Sequence, residues 1–170
     1  MLSQPRYYEI SLGKSPHAFT RHEITVKDLQ SALADQGTVP RQGDIFLVRT
    51  GFIRDHNAAS PEERSHATQK QNTFAGLQAN EHSIRWLYSQ HFAALVGDTV
   101  ALEAWPPNND EWIIHEWALT WWGTPIGEMW DLENLAAECE RQKRWSFFLT
   151  SAPLHVKGGV ASPPGAIAIF

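Results

Sequence analysis

The chain has 170 residues, of which 42% are hydrophobic and 19% charged, a balance that excludes a wholly disordered polypeptide and suits one domain with a real core. Its net charge of −5, without any run of five basic residues, argues against a nucleic-acid or anionic-membrane partner. A single cysteine, Cys139, excludes an internal disulfide.

In chain order, residues 1–20 lack clean periodicity and contain Gly13 and Pro16, so they read as a loose lead-in to one domain spanning 1–170. The opening Met1-Leu-Ser-Gln-Pro-Arg has no apolar stretch of signal-peptide length, and no segment approaches the roughly 20 apolar residues that span a bilayer. A soluble, cytoplasmic protein is expected. Thr25-Val-Lys-Asp28 predicts a capped helix start, with Leu29 and Leu33 on one face and Gly37 as the stop. Ile45-Phe-Leu-Val48 predicts a strand apolar on both faces, the mark of a covered sheet. Ser60-Pro61 opens an exposed helix running to Gln71, and Asn80 caps another that carries Ile84, Leu87, Tyr88 and His91. A second buried strand is predicted over 92–96. A Trp-rich helix follows from Asn109 or Asp110 to Gly123, then an amphipathic helix over 131–142 and strands over 145–149 and 166–170. Alternating helices and strands predict an α/β domain. Cys139 falls on the apolar face of the 131–142 helix, where an inert thiol is expected.

Chemistry on a small molecule needs titratable groups in a partly dry pocket, which α/β sheets form at the C-terminal ends of their strands. Asp98 stands just after the 92–96 strand and Glu103 lies in the same loop, each placed to serve as a base or hydrogen-bond acceptor. The alternative for Asp98 is turn capping. His115 sits among Ile113, Ile114 and Trp117, as a metal ligand, a proton shuttle or a core histidine with a satisfied hydrogen bond. Glu128, within Pro125-Ile-Gly-Glu128-Met-Trp, has an apolar setting that suits acid–base work. Five of the eight tryptophans fall between positions 105 and 122, and Trp105, Trp117 and Trp121 are candidates to hold a flat ligand. There is no His-Glu-x-x-His, Cys-x-x-Cys, phosphate-loop or Gly-x-Ser-x-Gly motif.

Several blocks resemble the cyclase family of metal-dependent, formamidase-like hydrolases. They are Gly43-Asp-Ile-Phe-Leu-Val-Arg-Thr-Gly51-Phe52, Val96-Gly-Asp-Thr99, and His115 followed by Gly123-Thr-Pro-Ile-Gly-Glu128. The ending, Trp145-Ser-Phe-Phe-Leu-Thr-Ser-Ala-Pro153-Leu with Gly158-Gly-Val-Ala-Ser-Pro163-Pro, is similar to that of fungal members. The resemblance implies a swivelling β/β/α-like domain, oligomeric assembly, and hydrolysis or ring closure at a carbonyl with Zn or Mn. It places His115 and Glu128 at the later ligand positions. The family's His-x-Gly-Thr-His-x-Asp motif does not occur in this sequence, so the domain is expected to be N-terminally shortened and its metal site incomplete.

Three functions are therefore expected, in order. The first is metal-free cyclisation, isomerisation or dehydration of a secondary metabolite, with His115, Glu128, Asp98 or Glu103 moving protons. The second is a metal-dependent amide or lactone hydrolase using His115 and Glu128. The third is a noncatalytic binding protein. A homo-oligomer is expected, because a sheet without its cover exposes apolar surface.

Overall fold

The computed structural model describes residues 16–170 and the short strand β1 (Leu2–Ser3). The remaining lead-in residues lie outside the described ones. β1 itself departs from the expected loose lead-in, since it pairs in parallel with β3 (Ile45–Val48). The main sheet is wholly parallel in the order β1-β3-β5-β6, where β5 is Ala94–Gly97 and β6 is Ile126–Gly127. A second parallel pair joins β2 (Glu23–Ile24) to β4 (Gly76–Leu77), and β7 (Phe148–Ala152) and β8 (Gly165–Ile169) form an antiparallel hairpin. The architecture is α/β, as the sequence predicts.

The period-2 alternation of a strand explains how the sheet divides its core. Phe46 and Val48 of β3 and Leu95 of β5 join one cluster with Leu29 and Leu33 of α1 (Val26–Asp35) and Ile84 and Leu87 of α4 (Glu81–Ser89). Leu47 and Val96 point the other way, to Leu132, Ala136 and Cys139 on and beside α5 (Glu133–Gln142). Both faces are covered, which is why β3 reads as an unbroken apolar run. A third cluster gathers Phe19, Phe52 and Phe74 around α2 (Phe52–Ala58).

The predicted caps form. Thr25 and Asp28 make a reciprocal capping box on α1, Ser60 and Glu63 do the same on α3 (Pro61–His66), and Asn80 accepts from the Ser83 N–H. Five boundaries differ from expectation. The helix from Ser60 passes into a π-helical turn over Ala67–Gln71. β5 starts two residues later than predicted, because Phe92 stacks on Phe46 at 4.7 Å instead of entering the ladder. The Trp-rich helix is broken: a 3₁₀ turn, Asp110–Trp112, ends at an extended Ile113, and a π-helical segment, Glu116–Trp122, follows. α5 begins at Glu133, because Asp131 stays outside and accepts from the Glu133 N–H. The first hairpin strand starts three residues later than the predicted 145–149, at Phe148, since Trp145 and Phe147 pack into the α5 cluster. Among the described residues, no helix is long and apolar enough to cross a membrane.

Candidate active site

The segment 102–105 runs beside β4, and this pairing places the first carboxylate. Leu77 N–H donates to the Leu102 carbonyl at 2.9 Å, Ala104 N–H to Leu77 at 2.8 Å, and Trp105 and Phe74 exchange a pair of bonds. The approach depends on Gly76, where a Cβ would stand 2.4 Å from the Glu103 carbonyl carbon. Glu103 is thereby held fully buried.

His115 enters from the start of the Trp-rich π-helical segment. Its Nδ1 lies 2.7 Å from Glu103 Oε2, and its Nε2 lies 3.1 Å from Glu128 Oε1. Glu128 follows β6, and its Oε1 also accepts the Leu102 N–H at 2.9 Å. The three candidates thus form one chain, Glu103–His115–Glu128. Two carboxylates on one imidazole stabilise its cation. The hydrogen bond to Glu103, then that to Glu128, raises the His115 pKa to about 10 against the opposing cost of burial. His115 is therefore an imidazolium at neutral pH. Glu103 Oε1, by contrast, is buried with no hydrogen-bond partner among the described residues.

This cation links the site to stability. The folded pKa, about 10, lies above the ordinary 6.5, so the stabilisation is fully present below about pH 6.5 and is lost as pH rises through 10. The wild-type melting temperature is expected to fall over that window more steeply than that of His115→Gln. Parallel curves would contradict the pairing.

Asp98 does something else. Its Oδ1 accepts from Thr50 N–H (2.6 Å) and Thr50 Oγ1 (2.8 Å), and its Oδ2 from Gly51 N–H (2.8 Å) and Phe52 N–H (3.1 Å). Gly51 is a left-handed N-cap with no side-chain oxygen to offer, so Asp98 caps α2 from a neighbouring strand end. Burial pushes its carboxyl above the ordinary value, while the donors from Thr50 and Gly51 and the nearby Arg49 charge pull the other way. Both oxygens are engaged, and the structure does not bring Asp98 to His115. Arg49 itself makes a bidentate pair with Glu133 at 2.8 and 2.7 Å, tying the end of β3 to the start of α5.

A cleft of about 670 Å³ opens beside the chain of charged groups, walled by Phe74, Val100, Trp105 and Ile113 together with Glu103 and His115. Trp105 therefore reaches the same cleft as Glu103 and His115. Trp117 and Trp121 do not: one helical turn apart, they line a separate groove of about 480 Å³ with Trp112, Trp122 and Tyr88. Two contributors to the site escaped the sequence reading. The Leu102 N–H carries no side-chain signal, and Phe74 reaches the cleft only through the pairing with Trp105.

The resemblance implies a metal, and the donor set decides whether these residues could hold one. Among the described residues, no group of three or more His, Cys, Asp or Glu side chains is arranged to hold one. His115 and Glu128 supply two ligands at most, and a catalytic zinc centre usually takes three from protein. These residues do not by themselves complete a metal site.

The Cyclase family model matches residues 10–104. A crystal structure of a novel cyclase is similar over 99% of this chain, at 31% identity and a TM-score of 0.83. The chain spans about half of that protein, 52% of its length. No curated protein matches. A family model covering more than half of the chain agrees with a shared fold at this identity, and the chain belongs to the Cyclase family.

Proposed function

We propose that this chain acts on a small carbonyl compound by proton transfer, catalysing cyclisation, isomerisation or dehydration through Glu103, His115 and Glu128. The observation that carries the reading is the continuous Glu103–His115–Glu128 chain, whose first two members line an apolar cleft. The His115 imidazolium polarises a carbonyl oxygen or gives its Nε2 proton to a leaving hydroxyl. Glu128, with its side chain 29% exposed, takes the proton from the adjacent carbon. Glu103 fixes the ring orientation and its charge. The walls formed by Phe74 and Trp105 suit a flat aromatic or polyketide-like secondary metabolite, and the Pro163-Pro164 ending supports a fungal-type member. The test is a screen of hydroxy-ketones and aromatic lactones with wild type and Glu128→Gln. Equal turnover by both would overturn the assignment.

A second reading, a metal-dependent amide or lactone hydrolase, has one specific observation behind it. A buried carboxylate on Nδ1 is how ligand histidines are commonly oriented, leaving Nε2 and Glu128 to face a Zn or Mn ion whose other ligands lie elsewhere. The two readings separate by elemental analysis. Complete structural sites bind with about 10–16 kcal/mol, and two ligands should fall far short of that. The expected result is no stoichiometric Zn or Mn after dialysis, and a retained equivalent would favour the hydrolase.

The hairpin supports a reading of self-assembly. Phe148, Ile167 and Ile169 present exposed apolar surface, as do Leu154, Val156 and Val160 in its loop. We infer self-association through this face. Light scattering at micromolar concentration should give a dimer or larger, and a 19.2 kDa particle would overturn this.

A further inference from the structure

Among the described residues, four other than glycine have positive φ: Asn72, His91, Met129 and Lys143. Three are unremarkable. Asn72 and Lys143 are C-caps of helical segments and His91 directly follows the C-cap of α4, places where left-handed backbone is routine. Met129, at φ 55°, follows a two-residue strand instead and comes immediately after Glu128. An unbranched but bulky side chain in this region is uncommon, and such strain persists only where the surroundings impose it.

The imposing contacts can be named. Met129 N–H donates to the Thr99 carbonyl at 3.1 Å and Trp130 N–H to the Gly97 carbonyl at 3.2 Å, so the chain is held on both sides of the fixed Asp98. Trp130 folds back on Gly127, where a Cβ would stand 2.9 Å from the indole Nε1. Between these anchors the Glu128 carboxylate meets the Leu102 N–H and His115 Nε2. Met129 is itself 48% exposed, so packing does not explain why the backbone turns there.

We propose that the left-handed turn at Met129 is a positioning device, which ends β6 so that the Glu128 carboxylate is delivered to His115 Nε2. Met129 is a positioning residue and touches no reacting atom. The inference deepens the acid–base reading of this site, but its test does not depend on turnover.

The test uses the full chain labelled with ¹⁵N-histidine at neutral pH. The His115 ring offers two low-field protons, one at Nδ1 bonded to Glu103 and one at Nε2 bonded to Glu128. Glu103→Gln and Glu128→Gln assign them. Met129→Ile, whose β-branch disfavours the left-handed region, is expected to lose or shift the Nε2 proton as Glu128→Gln does, while the Nδ1 proton stays. Met129→Gly, which adopts the turn freely, should keep both signals and melt at or above wild type. Should the isoleucine variant fail to fold, Met129→Ala reads the same two protons under milder strain. A folded isoleucine or alanine variant with both signals unchanged would overturn the positioning role, as would loss of the Nε2 signal in Met129→Gly. Failure of the acid–base reading would show separately, as unchanged turnover in Glu128→Gln with the Nε2 proton lost.

Discussion

Replacing His115 with alanine is expected to lower turnover by about 10²–10⁴-fold, the usual loss when one member of an acid–base pair is removed. The imidazole touches both carboxylates, at 2.7 Å to Glu103 and 3.1 Å to Glu128, so its loss separates them and removes the cation between them. Glu103→Gln should act through the same ring. The hydrogen bond to Glu103 is the largest cause of the raised His115 pKa, and a neutral amide leaves the imidazole less often protonated at neutral pH. The activity of Glu103→Gln should therefore be recovered in part at lower pH, whereas that of His115→Ala should not. Rates are compared per folded molecule, with melting curves to establish folding. If His115→Ala keeps full turnover, the histidine only satisfies buried carboxylates.

The largest effect on stability is expected at Asp98. Four donors converge on its two oxygens at 2.6–3.1 Å, three of them backbone N–H groups at the start of α2. Asp98→Ala strands these donors in a site with no exposure to solvent, and breaking a buried charged network of this kind costs about 3–5 kcal/mol. That is a large fraction of the roughly 5–15 kcal/mol by which a domain is stable. Asp98→Asn should also destabilise, since its amide NH₂ would face either Thr50 or the Gly51 and Phe52 N–H groups, donor against donor. Urea melts measure both. Losses within about 0.5 kcal/mol, the range of ordinary surface changes, would refute the capping role.

These two sites show what a linear reading can and cannot reach. Local rules suffice for Thr25 with Asp28 and for Ser60 with Glu63, because a capping box is complete within four residues. The strand Ile45–Val48 is equally legible, since a run apolar on both faces has few other uses. The Glu103–His115 contact is different. Each residue stands out as a candidate, but their meeting depends on the pairing of 102–105 with β4, which depends in turn on the missing side chain of Gly76. Nothing local to either residue records that pairing. Asp98 was ambiguous for the same reason: its partners lie on the loop from residue 50 to 52, far away in sequence. The Trp-rich stretch misled through its regularity. Helical spacing continues across Ile113 in the sequence, while the backbone breaks there and resumes with π geometry.

Cys139, packed between α5 and the sheet, has one more consequence. It is the sole thiol of the chain, fully buried, and burial pushes its pKa to about 11, so in the closed fold it is neither reachable nor nucleophilic. An alkylating reagent can mark it only in molecules whose α5 has lifted from Leu47 and Val96. The protein therefore carries an internal clock for that event: the labelling rate counts excursions of the helix, with no introduced probe and no competing cysteine.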